Sequence, residues 1–355
     1  MIKVIREFSE LDNLKDEWNR LWKLSVEATP FQEFEYVRLS LEYFESEGSS
    51  LYIMTITDNN KGNVIAIFPT VLEKSGKLRF VNYAHSDFCS AIIDPEYCNY
   101  NLFEEISSYI KSDKEIKVVE FTNLKSDNSL IAVFKPFIRT CFVHDICYYS
   151  EIPIQLSEKD TSFLDGFRYI NGKRKKKLKK LHASMENDCD FHIYNKINND
   201  IYPEQAIQYL TELMVKNGIR EKSYFSESML NFWRELYEKN ILIVALLSKN
   251  GVAMSCNFMY FDEKCNEYIK WIMLYSMNDY NLSVNVEIAN HIYTHGGGVI
   301  NFARGIYGYK MENFHPDVKV LYRVVITKSL WSDLKALLCV QYYYIKEIAK
   351  KYIRK

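Results

Sequence analysis

Apolar positions along the chain fall into helical and strand periods whose order repeats. Trp18, Leu21, Trp22 and Leu24 recur at helical spacing. Thr29-Pro30 breaks that run, and Phe34, Val37, Leu41 and Phe44 restart a helical stripe. Residues 51–57 then read as a strand, 58–62 as a turn ending in Gly62, and 64–72 as the partner strand. Shorter strands follow near 78–83 and 90–93, then a helix over 102–110 and a strand at 116–121. The second half keeps this order: strand 241–248, a turn at Lys249-Asn250-Gly251, strand 252–261, strand 267–275, helix 284–295, the run Gly296-Gly297-Gly298, and strand 299–302. Gly62 and Gly251 lie 189 residues apart, and Val118 and Val299 lie 181 apart. A nearly constant offset with conserved order points to duplication of one unit. Between the copies, Phe163, Phe167 and Ile170 precede a basic helical stretch ending near Met185, and a helix over 202–218 ends at Gly218. A strand over 320–326 and a helix from about 330, with five cations in its last turns, close the chain.

A length of 355 residues fits two domains, and the repeat places their boundary between 158 and 159, giving domains 1–158 and 159–355. The chain holds 27 Tyr, 21 Phe and 5 Trp against 12 Gly and 7 Pro, which excludes a disordered or collagen-like chain. Net charge is −1, so nothing global draws the protein to nucleic acid or to an anionic membrane. The longest apolar run, 241–247, falls far short of the roughly 20 residues of a membrane span. The N-terminus has charges at Lys3, Arg6, Glu7 and Glu10 and no apolar signal region, so a cytoplasmic location is expected. No two of the eight Cys stand in C-x-x-C spacing, and they read as small buried hydrophobes.

The near-zero charge conceals one local excess. From Arg168 to Lys180 there are eight Lys or Arg and no acid. Like charges one turn apart repel, so helix stability alone does not select this arrangement. It reads either as a solvated face or as a site for phosphates of a cofactor, a nucleotide-linked substrate or RNA. His291 and His295 stand one turn apart on a predicted helix, with Glu287 a turn earlier. Ile292 follows His291, so the H-E-x-x-H metal pattern is absent and no metal is expected; Glu287 or His291 is a candidate general base instead. Arg304, Tyr309 and Lys310 gather after the strand that follows the glycine run. Strand ends at a break in a sheet commonly line sites. Arg304 is a fixed, fork-shaped donor, and Tyr309 is a candidate acid for a leaving thiolate.

A set of short boxes spanning residues 18–325 carries a family resemblance. They are Thr29-Pro30-Phe31-Gln32 after a Trp-containing helix, Ala66-Ile67-Phe68-Pro69 on a strand, Ser86-Asp87-Phe88, the basic run from Lys173 to Leu178, and Asn301-Phe302 with Arg304-Gly305 and Tyr309-Lys310. In this order the chain resembles the CelD-like, cellulose-biosynthesis-associated group of GNAT-type acyltransferases, which is akin in architecture to the Fem aminoacyl transferases. The resemblance implies an α+β (mixed α/β) fold of two tandem GNAT-like domains, each a mostly antiparallel mixed sheet flanked by helices. It implies an N-acyltransferase moving an acyl group from acetyl-CoA or another acyl-CoA to an amine, with an amino sugar or an envelope-polysaccharide precursor as acceptor. In such folds the pyrophosphate sits on backbone N–H groups at a helix N-terminus, which the resemblance assigns to Ser283, Val284 and Asn285, with Arg304 as a further cofactor contact. The expected catalytic residues are Glu287, His291 and Tyr309. Asp87, Lys270, Lys310 and Arg174 are the expected substrate contacts. Two departures stand out: Asn301 replaces the usual Asp, and Asn281-Leu282-Ser283-Val284 replaces a Gly-containing turn. Two other functions fit the same boxes: a Fem-like aminoacyl transfer from charged tRNA, with the basic cluster on RNA, or a non-catalytic component of a polysaccharide-synthesis system.

Overall fold

The computed structural model describes residues 1–45, 48–134, 141–157, 162–167 and 170–328. Arg168 of the basic cluster, the expected helix from 330 and Cys339 lie outside them. The chain divides into two compact units, residues 1–147 with the chain from 320 on, and residues 148–319.

In the first unit, β1 (Ile2–Ile5), α1 (Phe8–Asn13), α2 (Lys15–Leu24) and α3 (Phe34–Phe44) precede β2 (Ser49–Leu51), β3 (Ile53–Thr57), β4 (Val64–Phe68), β5 (Thr70–Glu73), β6 (Lys77–Phe80) and β7 (Ile92–Ile93). Then come α4 (Tyr100–Ser112), β8 (Val118–Lys125) and α5 (Leu130–Val133). The expected strand 64–72 is split into β4 and β5 at Pro69, which has no N–H for a ladder. Strands β1, β3, β4 and β7 form one antiparallel sheet. A second ladder runs β8-β6-β5-β2, with residues 321–327 of the last strand antiparallel to β8. Trp18 and Leu21 of α2 are fully buried, as their helical spacing requires. Asn99 caps α4, its Oδ1 accepting from the N–H groups of Asn101 and Leu102.

The rest of the chain supplies β9 (Cys141–Ile154), α6 (Gly172–Asp188), β10 (Cys189–Tyr194), α7 (Glu204–Lys216), α8 (Glu227–Glu238), β11 (Leu242–Lys249), β12 (Val252–Asp262), β13 (Glu267–Tyr275), α9 (Asn278–Thr294), β14 (Gly298–Arg304), α10 (Gly308–Phe314) and β15 (Asp317–Thr327). In the second unit the ladder runs β10-β11-β12-β13-β14 and on to the 149–154 part of β9. Adjacent residues of a strand point to opposite faces. Phe258 accordingly packs on Trp233 of α8 at 4.6 Å, while Met259 joins the cluster of Val284, Ile288 and Ile292 on α9.

Among the described residues, each unit contains one parallel pair bridged by a helix. In the first, β6 and β8 pair through Lys77↔Val118, Leu78↔Val119 and Arg79↔Glu120, with α4 as the crossover. In the second, β13 and β14 pair through Glu267↔Val299, Tyr268↔Ile300 and Ile269↔Asn301, with α9 as the crossover. One step beyond the last pair, Phe80 and Phe121 pack ring on ring at 4.6 Å in the first unit. The corresponding positions in the second unit are Lys270 and Phe302, and the Lys270 Nζ lies 5.3 Å from the ring centroid.

Candidate functional site

The fork where β13 and β14 part company is built by their flanks. Gly298 opens β14 with φ +150°, and a Cβ there would lie 2.8 Å from the Asn266 carbonyl oxygen, so only glycine lets the strands approach. Asn301 Nδ2 then donates to Glu267 Oε1 at 2.8 Å, both side chains being buried. This explains Asn301 in place of Asp: a carboxylate there would face a second buried carboxylate. The Asn301 Oδ1 accepts from the Ala303 N–H at 2.8 Å and holds Ala303 at φ +55°, a left-handed conformation that strains a non-glycine residue. The chain after this kink converges on Lys310. Its Nζ donates to the carbonyls of Phe302, Gly305 and Arg304 at 2.5, 3.1 and 3.3 Å. Three acceptors match the three N–H donors of an ammonium, and these bonds to Lys310 fix the strand end.

Lys270 sits opposite in the fork, 5 % exposed, and donates to Asn285 Oδ1 of α9. Burial, and then the neighbouring charge of Lys310, push its amine well below the ordinary lysine range. Asn285 is itself held by the carbonyl of Asn281, accepting from Nδ2 at 2.7 Å. Asn257 on β12 lies at the bulge between β12 and β13, buried, and its Nδ2 has no hydrogen-bond partner among the described residues. Tyr309 is half-buried near Tyr275, its ring parallel to that of Tyr307 at 6.3 Å, and burial raises its pKa so that it stays protonated. Lys177 of the basic helix reaches Asn313 Oδ1 at 3.1 Å, and Asn313 in turn donates to the Tyr309 carbonyl at 2.7 Å, so α6 comes up to α10.

The structure separates the remaining expected residues. Glu287 lies about 200° around α9 from Asn285 and faces α6, where His182 Nδ1 stands 2.7 Å from Glu287 Oε1 and His182 Nε2 stands 3.4 Å from Glu186. Burial, opposed by His182, raises the Glu287 pKa. His291 stacks on His295 at 3.9 Å and meets the edge of Tyr268. Burial, reinforced by His295, lowers it to about 4. Asp87 belongs to the first unit. Arg174 lies in the first turn of α6, whose N-cap Asn171 accepts from its N–H at 3.1 Å, and its buried Nη1 has no hydrogen-bond partner among the described residues. Arg304 is half-buried at the end of β14.

The helix expected over 284–295 starts six residues earlier, at Asn278. Ser283, Val284 and Asn285 are therefore buried in its second turn, where backbone N–H groups bond within the helix. The first-turn N–H groups lie just after Met277, which supplies no side-chain cap, and that of Tyr280 donates to the Met277 carbonyl at 3.2 Å. Sequence reasoning missed this start and the His182–Glu287 pair. Among the described residues no group of three His, Cys, Asp or Glu side chains can hold a metal ion, and no helix is long and apolar enough to cross a membrane.

These two units, each built of mostly antiparallel strands with a parallel pair and a bridging helix, have the fold of tandem GNAT-like domains. The chain is similar in structure to L-PGS from Bacillus licheniformis (TM-score 0.57, 12 % identity, 89 % of this chain and 93 % of that one). It is similar to FemX (0.58, 11 %, 88 % and 96 %) and to a tandem GNAT protein from the clavulanic acid biosynthesis pathway (0.52, 10 %, 91 % and 98 %). No protein-family model and no curated protein matches the chain in sequence. At these identities the likeness carries the fold.

Proposed function

We propose that the protein is a GNAT-fold acyltransferase whose second unit moves an acyl group from acyl-CoA to an amine. The observation that carries this reading is the forked parallel pair with Lys270 buried and depressed in pKa at its apex. An amine acceptor attacks the thioester carbonyl carbon. The C–N bond forms, the C–S bond breaks, the acceptor loses a proton, and the departing thiolate takes one. Lys270, whose amine burial pushes well below the ordinary lysine range, is the base for the first proton. Tyr309, protonated at neutral pH, is the donor for the thiolate, although burial makes it a weaker acid than free tyrosine. Lys310 and Arg304 supply fixed positive charge beside the developing oxyanion. The donor's phosphates fit the uncapped N–H groups following Met277 rather than Ser283. His291, lowered to about 4, is uncharged at neutral pH, and the Glu287–His182 pair ties α6 to α9. The resemblance to the CelD-like group supports an amino sugar or envelope-polysaccharide precursor as acceptor.

Isothermal titration with acetyl-CoA and longer acyl-CoAs tests the donor. Saturable one-to-one binding is expected, and no binding by any of them would sink the reading.

One observation favours a second donor. Seven cations of α6 remain in the described part of the cluster, and Lys173, Lys176, Lys179 and Lys180 are exposed with no ion pair among the described residues. They suit a charged tRNA carrying an aminoacyl ester. That reading predicts tRNA binding with a steep salt dependence that flattens when Lys176, Lys179 and Lys180 become Ala. Weak, salt-insensitive tRNA binding would eliminate it.

A further inference from the structure

A cleft of about 490 Å³ opens in the second unit between α7 and α8, within the size range of small-molecule sites. It lies on the opposite face of the sheet from α9, because α8 packs on Phe258 and α9 on Met259. Its floor is the stripe Ile207, Thr211 and Val215 of α7, faced by Leu230 of α8 and Phe225 of the connecting turn. The four-residue spacing keeps one helix stripe along the whole cleft. From Glu204 to Lys216 that stripe runs about 18 Å at 1.5 Å per residue.

The two ends differ. At the first turn of α7, Glu204 forms an ion pair with Arg234 of α8 and bridges the cleft. At the last turn, Lys216 and Lys222 stand exposed on the rim, and neither has an ion pair or side-chain hydrogen bond among the described residues. Tyr202, half-buried in the wall, has its pKa raised by burial and keeps its proton. The cleft is thus long and apolar, neutralised at one end and net positive at the other, where Lys216 and Lys222 outnumber Glu212, which accepts from Gln208 Nε2 at 3.0 Å.

We propose that this cleft binds a linear amphiphile, with an unbranched hydrocarbon chain along the α7 stripe and one anionic head against Lys216 and Lys222. Each methylene laid on the stripe leaves water, which favours longer chains. The Glu204–Arg234 pair offers no unpaired charge to a second head. A cationic head meets repulsion at the lysine end. The site is separate from the acyl-donor fork, so it stands or falls without that reading.

Titration of the full chain with dodecyl phosphate and dodecanoate below their micellar concentrations tests the proposal. Dodecyltrimethylammonium and inorganic phosphate serve as controls, and acetyl-CoA is titrated in parallel to keep the two sites distinct. One anionic amphiphile per chain is expected, with the cationic one at least tenfold weaker and inorganic phosphate not bound. Lys216→Glu with Lys222→Glu, both on the exposed rim, weakens anionic amphiphile binding at least tenfold. Val215→Trp fills the floor and abolishes it, and neither variant alters acetyl-CoA binding. Absence of saturable binding by both anionic amphiphiles overturns the proposal, as does binding that both variants leave intact. Co-sedimentation with phosphatidylglycerol vesicles that both variants abolish assigns the chain to a membrane lipid. Amphiphile binding without co-sedimentation assigns it to a free one.

Discussion

The two parallel pairs differ at one step of register. In the first unit the position past the last pair holds Phe80 against Phe121, sealed within an apolar cluster that includes Phe68 and Phe134. In the second it holds Lys270 over Phe302, with Lys310, Asn285 and Asn281 around it. Charges near the first fork are neutralised: Arg79 bonds Glu45 and Glu73 at 2.7 Å each, and Lys77 reaches Glu73 and Glu120 at 3.2 and 3.4 Å. At the second fork two lysines are buried near each other, and one is driven towards its uncharged form. Burying polar groups without full compensation costs stability. The first fork is therefore built for packing, and the second gives up some packing energy to bury an amine that is pushed towards its uncharged form.

Substitutions test that division. Lys270→Met is expected to lower kcat for acyl transfer by about 10²–10³-fold, the span of lost acid–base catalysis, with KM for the donor little changed. The same variant raises the urea midpoint, because a buried amine gives way to an apolar chain. Lys270→Arg does not rescue the rate, since guanidinium does not lose its proton. Thiol release and urea denaturation on the same samples read both effects. Phe80→Ala at the matching position costs about 3–5 kcal/mol of unfolding free energy and leaves acyl-donor affinity unaltered in the folded protein. A loss of donor binding there would break the comparison.

Acid stability offers a smaller effect. His291 is held at about 4 in the folded state against 6.5 for the free side chain. A base whose folded pKa is depressed contributes stability above the unfolded pKa, and that stability is lost as pH falls from 6.5 through 4. His291→Phe is expected to flatten the fall in Tm across that window, and an unchanged slope would remove His291 from the account. The helix caps give the smallest effect. Asn99→Ala in α4 and Asn171→Ala in α6 each cost about 1 kcal/mol, but only the second is expected to weaken retention on a polyanion column.

Much of this was legible in the sequence. Alternation around the turns at Gly62 and Gly251 located the hairpins, and the glycine run marked the start of β14. The true start of α9 was hidden because Asn278-Asp279-Tyr280-Asn281 has the composition of a turn, with side chains that compete for backbone hydrogen bonds. The strand β9 and the helix α8 did not stand out by period. His182 and Glu287 meet across 105 residues of chain, a separation no local pattern encodes. Lys270 had a readable signal, a lone cation within the apolar strand 267–275. Its match to Phe80 needed the register of both pairs.

The charge on the Lys270 amine is the most direct measure of the difference between the forks. It is readable from lysine Nζ resonances in ¹⁵N NMR, assigned by loss of the signal in Lys270→Arg. The account predicts an amine that titrates well below the ordinary lysine range. An ammonium signal that persists at pH 7 and titrates in the ordinary lysine range would contradict it.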